Sequence, residues 1–193
     1  MRSASVAENR LTASVLGMVL FIASEVMFFG ALFGAYYTLR ARAAEWPPPG
    51  SPETDLVRPL ILTAILLSSS ATQHFAVEAA GRKDGRALAR WVWLTFSLGA
   101  VFLVGEALEW RALFDEGFVI SSNVFGSLFF TITGFHGLHV AAGLAMLLLA
   151  LKKTRIAPEG GQGVGALQAA TFYWHFVDGV WIFVLLSLYV TNI

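Results

Sequence analysis

"LTASVLGMVLFIASEVMFFGALFGAYYTL", residues 11–39, carries one charged side chain, Glu25, in an otherwise apolar run. A hydrocarbon core of about 30 Å is crossed by roughly 20 helical residues, so this stretch is long enough to span a bilayer. Arg2 and Arg10 precede it, as basic residues precede the core of a secretory leader. The run far exceeds the roughly 7–15 apolar residues of such a core, and no small-residue cleavage site interrupts it convincingly. It is read as a first membrane helix that is retained.

The rest of the chain repeats the pattern. Apolar segments at about 11–39, 56–79, 90–114, 123–151 and 168–190 predict an all-α integral membrane protein, a bundle of five transmembrane helices forming a single transmembrane domain over residues 1–193. All six prolines (Pro47, Pro48, Pro49, Pro52, Pro59 and Pro158) fall between these segments or in a first helical turn, where a missing N–H costs least. No period-2 alternation marks barrel strands, which leaves helices as the spanning structure. Arg2, Arg10, Arg82, Lys83, Arg86, Arg90, Lys152, Lys153 and Arg155 would share one side, against Arg40, Arg42, Arg58 and Arg111 on the other. The positive-inside rule then predicts a cytoplasmic N-terminus and a periplasmic C-terminus. "RARAAEWPPPGSPETD", residues 40–55, becomes an external connection, extended at its prolines, with Trp46 at the interface.

Composition narrows the function. The chain is 56% hydrophobic and 13% charged, with a formal net charge of zero, and its mean hydropathy is +0.67. Nothing in that balance suggests a nucleic-acid surface. The absence of cysteine removes disulfides, thiolate metal sites and cysteine nucleophiles. Basic residues cluster at helix ends, whereas all four histidines and several acids lie inside the spans. Ionisable groups at that depth are functional candidates because hydrocarbon penalises them. They are Glu25, His74, Glu78, Glu106, Glu109, His136, His139, His175 and Asp178.

Each has a plain packing reading beside a chemical one. His136 and His139, at i and i+3 in "TGFHGLHV", could chelate a small ion, but no nearby carboxylate completes a site. Alternatively, Gly134, Gly137 and Gly143 let a neighbouring helix approach while the histidines hydrogen-bond across the contact. His74 and Glu78 can pair at i, i+4, or Glu78 can reach the basic turn that follows. Glu109 is expected to be wet and Glu106, a turn deeper, to need a partner. Glu25, near mid-span, needs a proton or a tight hydrogen bond; proton relay and a structural or lipid-contacting role both fit it. His175 and Asp178 in "FYWHFVDGVWIF", residues 172–183, share a face near mid-span among Tyr173, Trp174 and Trp181. With no serine or cysteine nucleophile in the local sequence, they read as a hydrogen-bonding station between helices and not a catalytic dyad.

"SEVMFFGALFGAYY", "EWPPPG", "HFAVE", "FGSLFFTITGFHGLHVAAG" and "FYWHFVDGVWIF" follow one another along most of the chain. In that order they resemble subunit III of the haem-copper terminal oxidases, in a shorter five-helix bacterial form that lacks the first two of the family's seven helices. The resemblance implies a non-catalytic core subunit in the bacterial inner membrane, with no haem, copper or other cofactor of its own and a bound phospholipid. It also implies that haem and copper sit in partner subunits, with subunit I as the main contact and subunit II and a small subunit IV in the same complex. Subunit III is expected to stabilise the catalytic subunit and to sustain proton uptake, and the motif holding Glu25 is expected to lie beside lipid and the neighbouring subunit. This chain departs from the pattern at Glu106, where the family often has glutamine. Without the first two helices it also lacks one wall of the family's lipid cleft. The alternatives are a related subunit of a quinol oxidase or nitric oxide reductase, or a free-standing proton-coupled transporter. The missing internal repeat weighs against the last.

Overall fold

The computed structural model describes residues 2–52, 55–156 and 161–192, with side chains described from residue 15 onward except at 155, 156, 161 and 162. Pro158 and Ile193 therefore lie outside the described residues, as do the side chains of Arg2, Arg10 and Arg155. The helices are α1 (Arg2–Arg42), α2 (Val57–Gly81), α3 (Gly85–Asp115), α4 (Val124–Ile156) and α5 (Gly161–Val184), and no strand occurs among the described residues. All five are long and apolar enough to cross a membrane. Most run past the apolar segments: α3 begins at Gly85 and not near residue 90, and α4 continues through Lys152 and Lys153. Hydropathy marks where hydrocarbon ends, whereas a helix already nucleated propagates cheaply into the interface.

The turn between α2 and α3 shows how local chemistry sets a helix pair. The Asp84 N–H reaches back to the Ala79 carbonyl at 3.0 Å and the Lys83 N–H to Ala80 at 3.0 Å, which closes the end of α2. Lys83 takes φ 55°, a left-handed conformation usual at that point. Asp84 then caps α3, its carboxylate accepting from the backbone N–H groups of Ala87 at 2.9 Å and Arg86 at 3.1 Å. The Ala87 hydrogen bond above all holds the Asp84 carboxyl below its ordinary value.

α5 is the hub, packed against α1, α2 and α4, while α3 closes against α2 and α4. α1 is peripheral: only 6% of its most apolar window is buried, against 56% for α5. It touches the bundle through Phe29 and Tyr36, the two buried residues of its inward stripe. Beyond α5 the chain widens into a π-helical turn, Leu185–Tyr189, and a 3₁₀ turn, Val190–Asn192. Those turns stitch down the end of α1. The Tyr36 hydroxyl donates to the Ser187 carbonyl at 2.6 Å, Arg40 Nη2 donates to the Thr191 carbonyl at 2.7 Å, and Trp46 Nε1 donates to Tyr36 at 3.2 Å.

Indoles tie the interior together. Trp174 Nε1 donates to Ser69 Oγ at 3.0 Å, Trp181 Nε1 to Thr63 Oγ1 at 2.8 Å, and Trp110 Nε1 to Thr133 Oγ1 at 3.2 Å. Hydroxyls on helices fit this task because they also donate to their own helix backbone, as Ser69 does to Leu66 at 2.6 Å, so neither the indole N–H nor the hydroxyl is stranded.

Candidate functional site

The inward stripe of α1 brings Glu25 against α4, where His139 Nε2 lies 2.9 Å from Glu25 Oε2. His139 Nδ1 is 2.6 Å from the carbonyl of Phe135. A carbonyl only accepts, so Nδ1 carries a proton, and Nε2 and Glu25 share one more between them. Whether that proton sits on oxygen or nitrogen, the pair carries no net charge, which removes most of the cost of placing it in hydrocarbon. Phe29 meets the imidazole edge-on at 5.0 Å and Phe28 stacks at 6.2 Å, and the two polar side chains are only 16% and 18% exposed. Glu25 thus has a partner from another helix, which no pattern within α1 could reveal.

This proton count makes a prediction. Glu25→Gln should be nearly neutral for stability, because an amide N–H can donate to Nε2 in place of the shared proton. Glu25→Leu strands the imidazole and should cost about 1–3 kcal/mol. Thermal unfolding of the detergent-solubilised protein compares the two; equal losses would contradict the shared proton.

His175 and Asp178 gain a third member from α2. Ser70 Oγ is 2.8 Å from His175 Nδ1 and donates to Asp178 Oδ2 in a short hydrogen bond, while His175 and Asp178 themselves stand 4.0 Å apart. The hydroxyl sits between imidazole and carboxyl. In a hydrolytic triad the imidazole would occupy the middle, so this geometry does not activate Ser70 as a nucleophile. His74 is exposed on the same side, and Glu78 pairs with Arg82 at 2.7 Å and not with His74.

The third group lies between α3 and α4. His136 is fully buried between Phe102, at 5.6 Å, and Trp181, at 5.1 Å. Neither of its nitrogens has a partner among the described residues. A spacing of i, i+3 turns the chain by about 60° from eclipsed, enough to send His136 into the core and His139 towards α1. Glu106 is 6% exposed and lies against Gly137, where a Cβ would stand 3.1 Å from Glu106 Oε2. It lines a groove of about 570 Å³ with Trp110, Phe130 and Gly134. Glu109, expected to be wet, is half-buried and hydrogen-bonded to Tyr189. The π-helical turn that positions Tyr189 is invisible to hydropathy. Among the described residues no three His, Asp or Glu side chains gather into a metal-holding group.

Neutral polar pairs linking apolar helices suit a supporting membrane subunit, and comparison with known proteins gives that description a family. The model of the family "Cytochrome c oxidase subunit III" matches residues 8–192. The chain belongs to that family. It is 40% identical over 177 residues to a cytochrome c oxidase subunit 3 of Thermostichus vulcanus, covering 91% of this chain and 86% of the relative. It is 41% identical over 187 residues to that of Corynebacterium diphtheriae, covering 94% and 89%. A probable cytochrome c oxidase subunit 3 of Mycobacterium tuberculosis is 39% identical over 182 residues, covering 94% and 89%. Within a subunit III chain, Ser69 and Ser70 are the residues that sequence reasoning missed. The run Ser68–Ser70 at the middle of the helix was the available signal.

Proposed function

We propose that this chain is the non-catalytic core subunit III of a haem-copper respiratory oxidase that couples oxygen reduction to proton pumping, stabilising the catalytic subunit and supporting proton uptake. The observation that carries this is the family match across residues 8–192. The polar interior agrees with it: Glu25, His139, Ser70, His175 and Asp178 are spent on contacts between helices. Relatives named for cytochrome c oxidase favour that assembly over a quinol oxidase or nitric oxide reductase.

Haem and copper belong in this proposal to partner subunits, with subunit I as the main contact and subunit II and a small subunit IV in the same complex. The N-terminus faces the cytoplasm of a bacterial inner membrane and the C-terminus the periplasm. In support, Arg82, Lys83 and Arg86 gather beside Thr154 at one end of the bundle, a setting that suits cytoplasmic charge and the anionic headgroup of a bound phospholipid. Purification from native membranes through an affinity tag on this chain should bring down haem and copper in one complex. A tagged chain recovered without haem, from membranes that retain oxidase activity, would defeat the assignment.

A further inference from the structure

α5 and the π-helical turn after it show an exposed stripe, Phe172, His175, Gly179, Phe183 and Leu186, at helical spacing. It is flanked by α1 on one side and α2 on the other. Between α1 and α5 lies a groove of about 340 Å³ lined by Phe29, Phe33, Phe176 and Phe183. A Cβ at Gly30 or Gly179 would meet nothing within 4 Å. At the level of this groove, near the middle of the span Gly163–Asn192, sits the Ser70–His175–Asp178 cluster.

That placement is costly against lipid. The His175 side chain is 45% exposed, its Nε2 has no hydrogen-bond partner among the described residues, and His74 stands exposed within electrostatic range. Acyl chains at mid-depth offer nothing to an imidazole, and phospholipid headgroups lie more than a helical turn away at the interfaces. The proton inventory gives the polarity. Ser70 has one hydroxyl proton to serve two neighbours. That proton goes to Asp178 Oδ2, so His175 Nδ1–H donates to Ser70; with an imidazolium balancing the carboxylate the cluster carries no net charge, and His175 Nε2–H remains as a donor.

We infer that the face formed by α1, α5 and α2 docks a transmembrane helix of the neighbouring oxidase subunit, which fills the α1–α5 groove and presents a hydrogen-bond acceptor to His175. The inference rests on the subunit III assignment and adds the surface, the depth and the chemistry of the contact. The occupant is a helix because only a helix fills an apolar groove while carrying a side-chain amide, hydroxyl or carboxyl oxygen to mid-membrane. The opposite face, where Leu108 is 60% exposed and Leu138 65% exposed, carries no exposed imidazole and faces lipid.

The test uses the intact complex in native membrane, with the photoreactive residue benzoylphenylalanine replacing Phe172 or Phe183 on one face and Leu108 or Leu138 on the other. All four positions are exposed, so folding is spared. After irradiation, Phe172 and Phe183 should yield adducts with an oxidase subunit at least tenfold above Leu108 and Leu138. Lipid adducts alone, adducts with a second copy of this chain, or the reverse pattern would overturn the docking face. In parallel, His175→Gln keeps a donor and should leave the complex intact, while His175→Leu should raise the dissociated fraction roughly tenfold, the scale of one buried hydrogen bond. Equal behaviour of the two would remove the acceptor from the proposal. Loss of haem from the purified complex would sink the subunit assignment; lipid adducts in a haem-containing complex would sink the docking face alone.

Discussion

Trp174→Ala is expected to destabilise the bundle by about 3–5 kcal/mol, the range for emptying a buried aromatic site. The indole is fully buried and spans three helix contacts at once. A Cβ added at Gly99 on α3 would fall 2.7 Å from Trp174 Cη2, and one at Gly143 on α4 would fall 2.9 Å from Cε3. On α2, Ser69 Oγ accepts the indole N–H at 3.0 Å. Apolar surface alone does not drive helices together in lipid, so dense packing and cross-helix hydrogen bonds hold the bundle, and Trp174 supplies both. Ser69 keeps its bond to Leu66 in the variant, which makes lost packing the larger part of the loss. Gly143→Val approaches the same interface from the other side, because its branched side chain collides with a ring that has no room to move. Reversible unfolding in mixed micelles measures both variants. A loss below about 1 kcal/mol for Trp174→Ala would show that the packing relaxes around the void.

Removing this chain from the assembled oxidase should leave oxygen reduction running at first and then failing with time. Glu25 is paired with His139 and Asp178 with Ser70 inside this chain, and in the proposed complex the electrons pass through partner subunits. On the proposed function the complex loses support and proton supply, so activity should decay during turnover and slow most at high pH, where protons are scarce. Oxygen uptake over time and protons pumped per electron, compared between whole and depleted complexes, decide the matter. Immediate loss of oxygen reduction in a depleted complex with intact haem spectra would contradict the supporting role. Glu25→Gln belongs in the same experiment: if the shared proton serves structure alone, pumping persists. A variant that reduces oxygen but pumps no protons would place Glu25 on the proton path.

The membrane architecture was legible because hydropathy is a property of each helix separately: a segment meets lipid before it meets its neighbours. The run at residues 11–39 and the four segments after it sufficed for five spans, and depth alone marked Glu25, His136, His139, His175 and Asp178 as costly. Partnership was hidden, since it depends on the rotation of one helix against another far away in sequence. Glu25 meets His139 across 114 residues, and Ser70 meets Asp178 across 108. Local spacing left alternatives open. Of the two readings of Glu78, a pair with His74 or with the basic turn that follows, the structure takes the second, with Arg82 at the exposed helix end. His136 and His139 are close in sequence but belong to different interfaces. Glu109 lies near a helix end, where water is the natural expectation, until the π-helical turn after α5 brings Tyr189 over it. The sequence by itself thus determined which segments enter the membrane and which side chains are expensive there. Only the tertiary structure decided how that expense is offset, because a proton shared between two helices exists in neither helix alone.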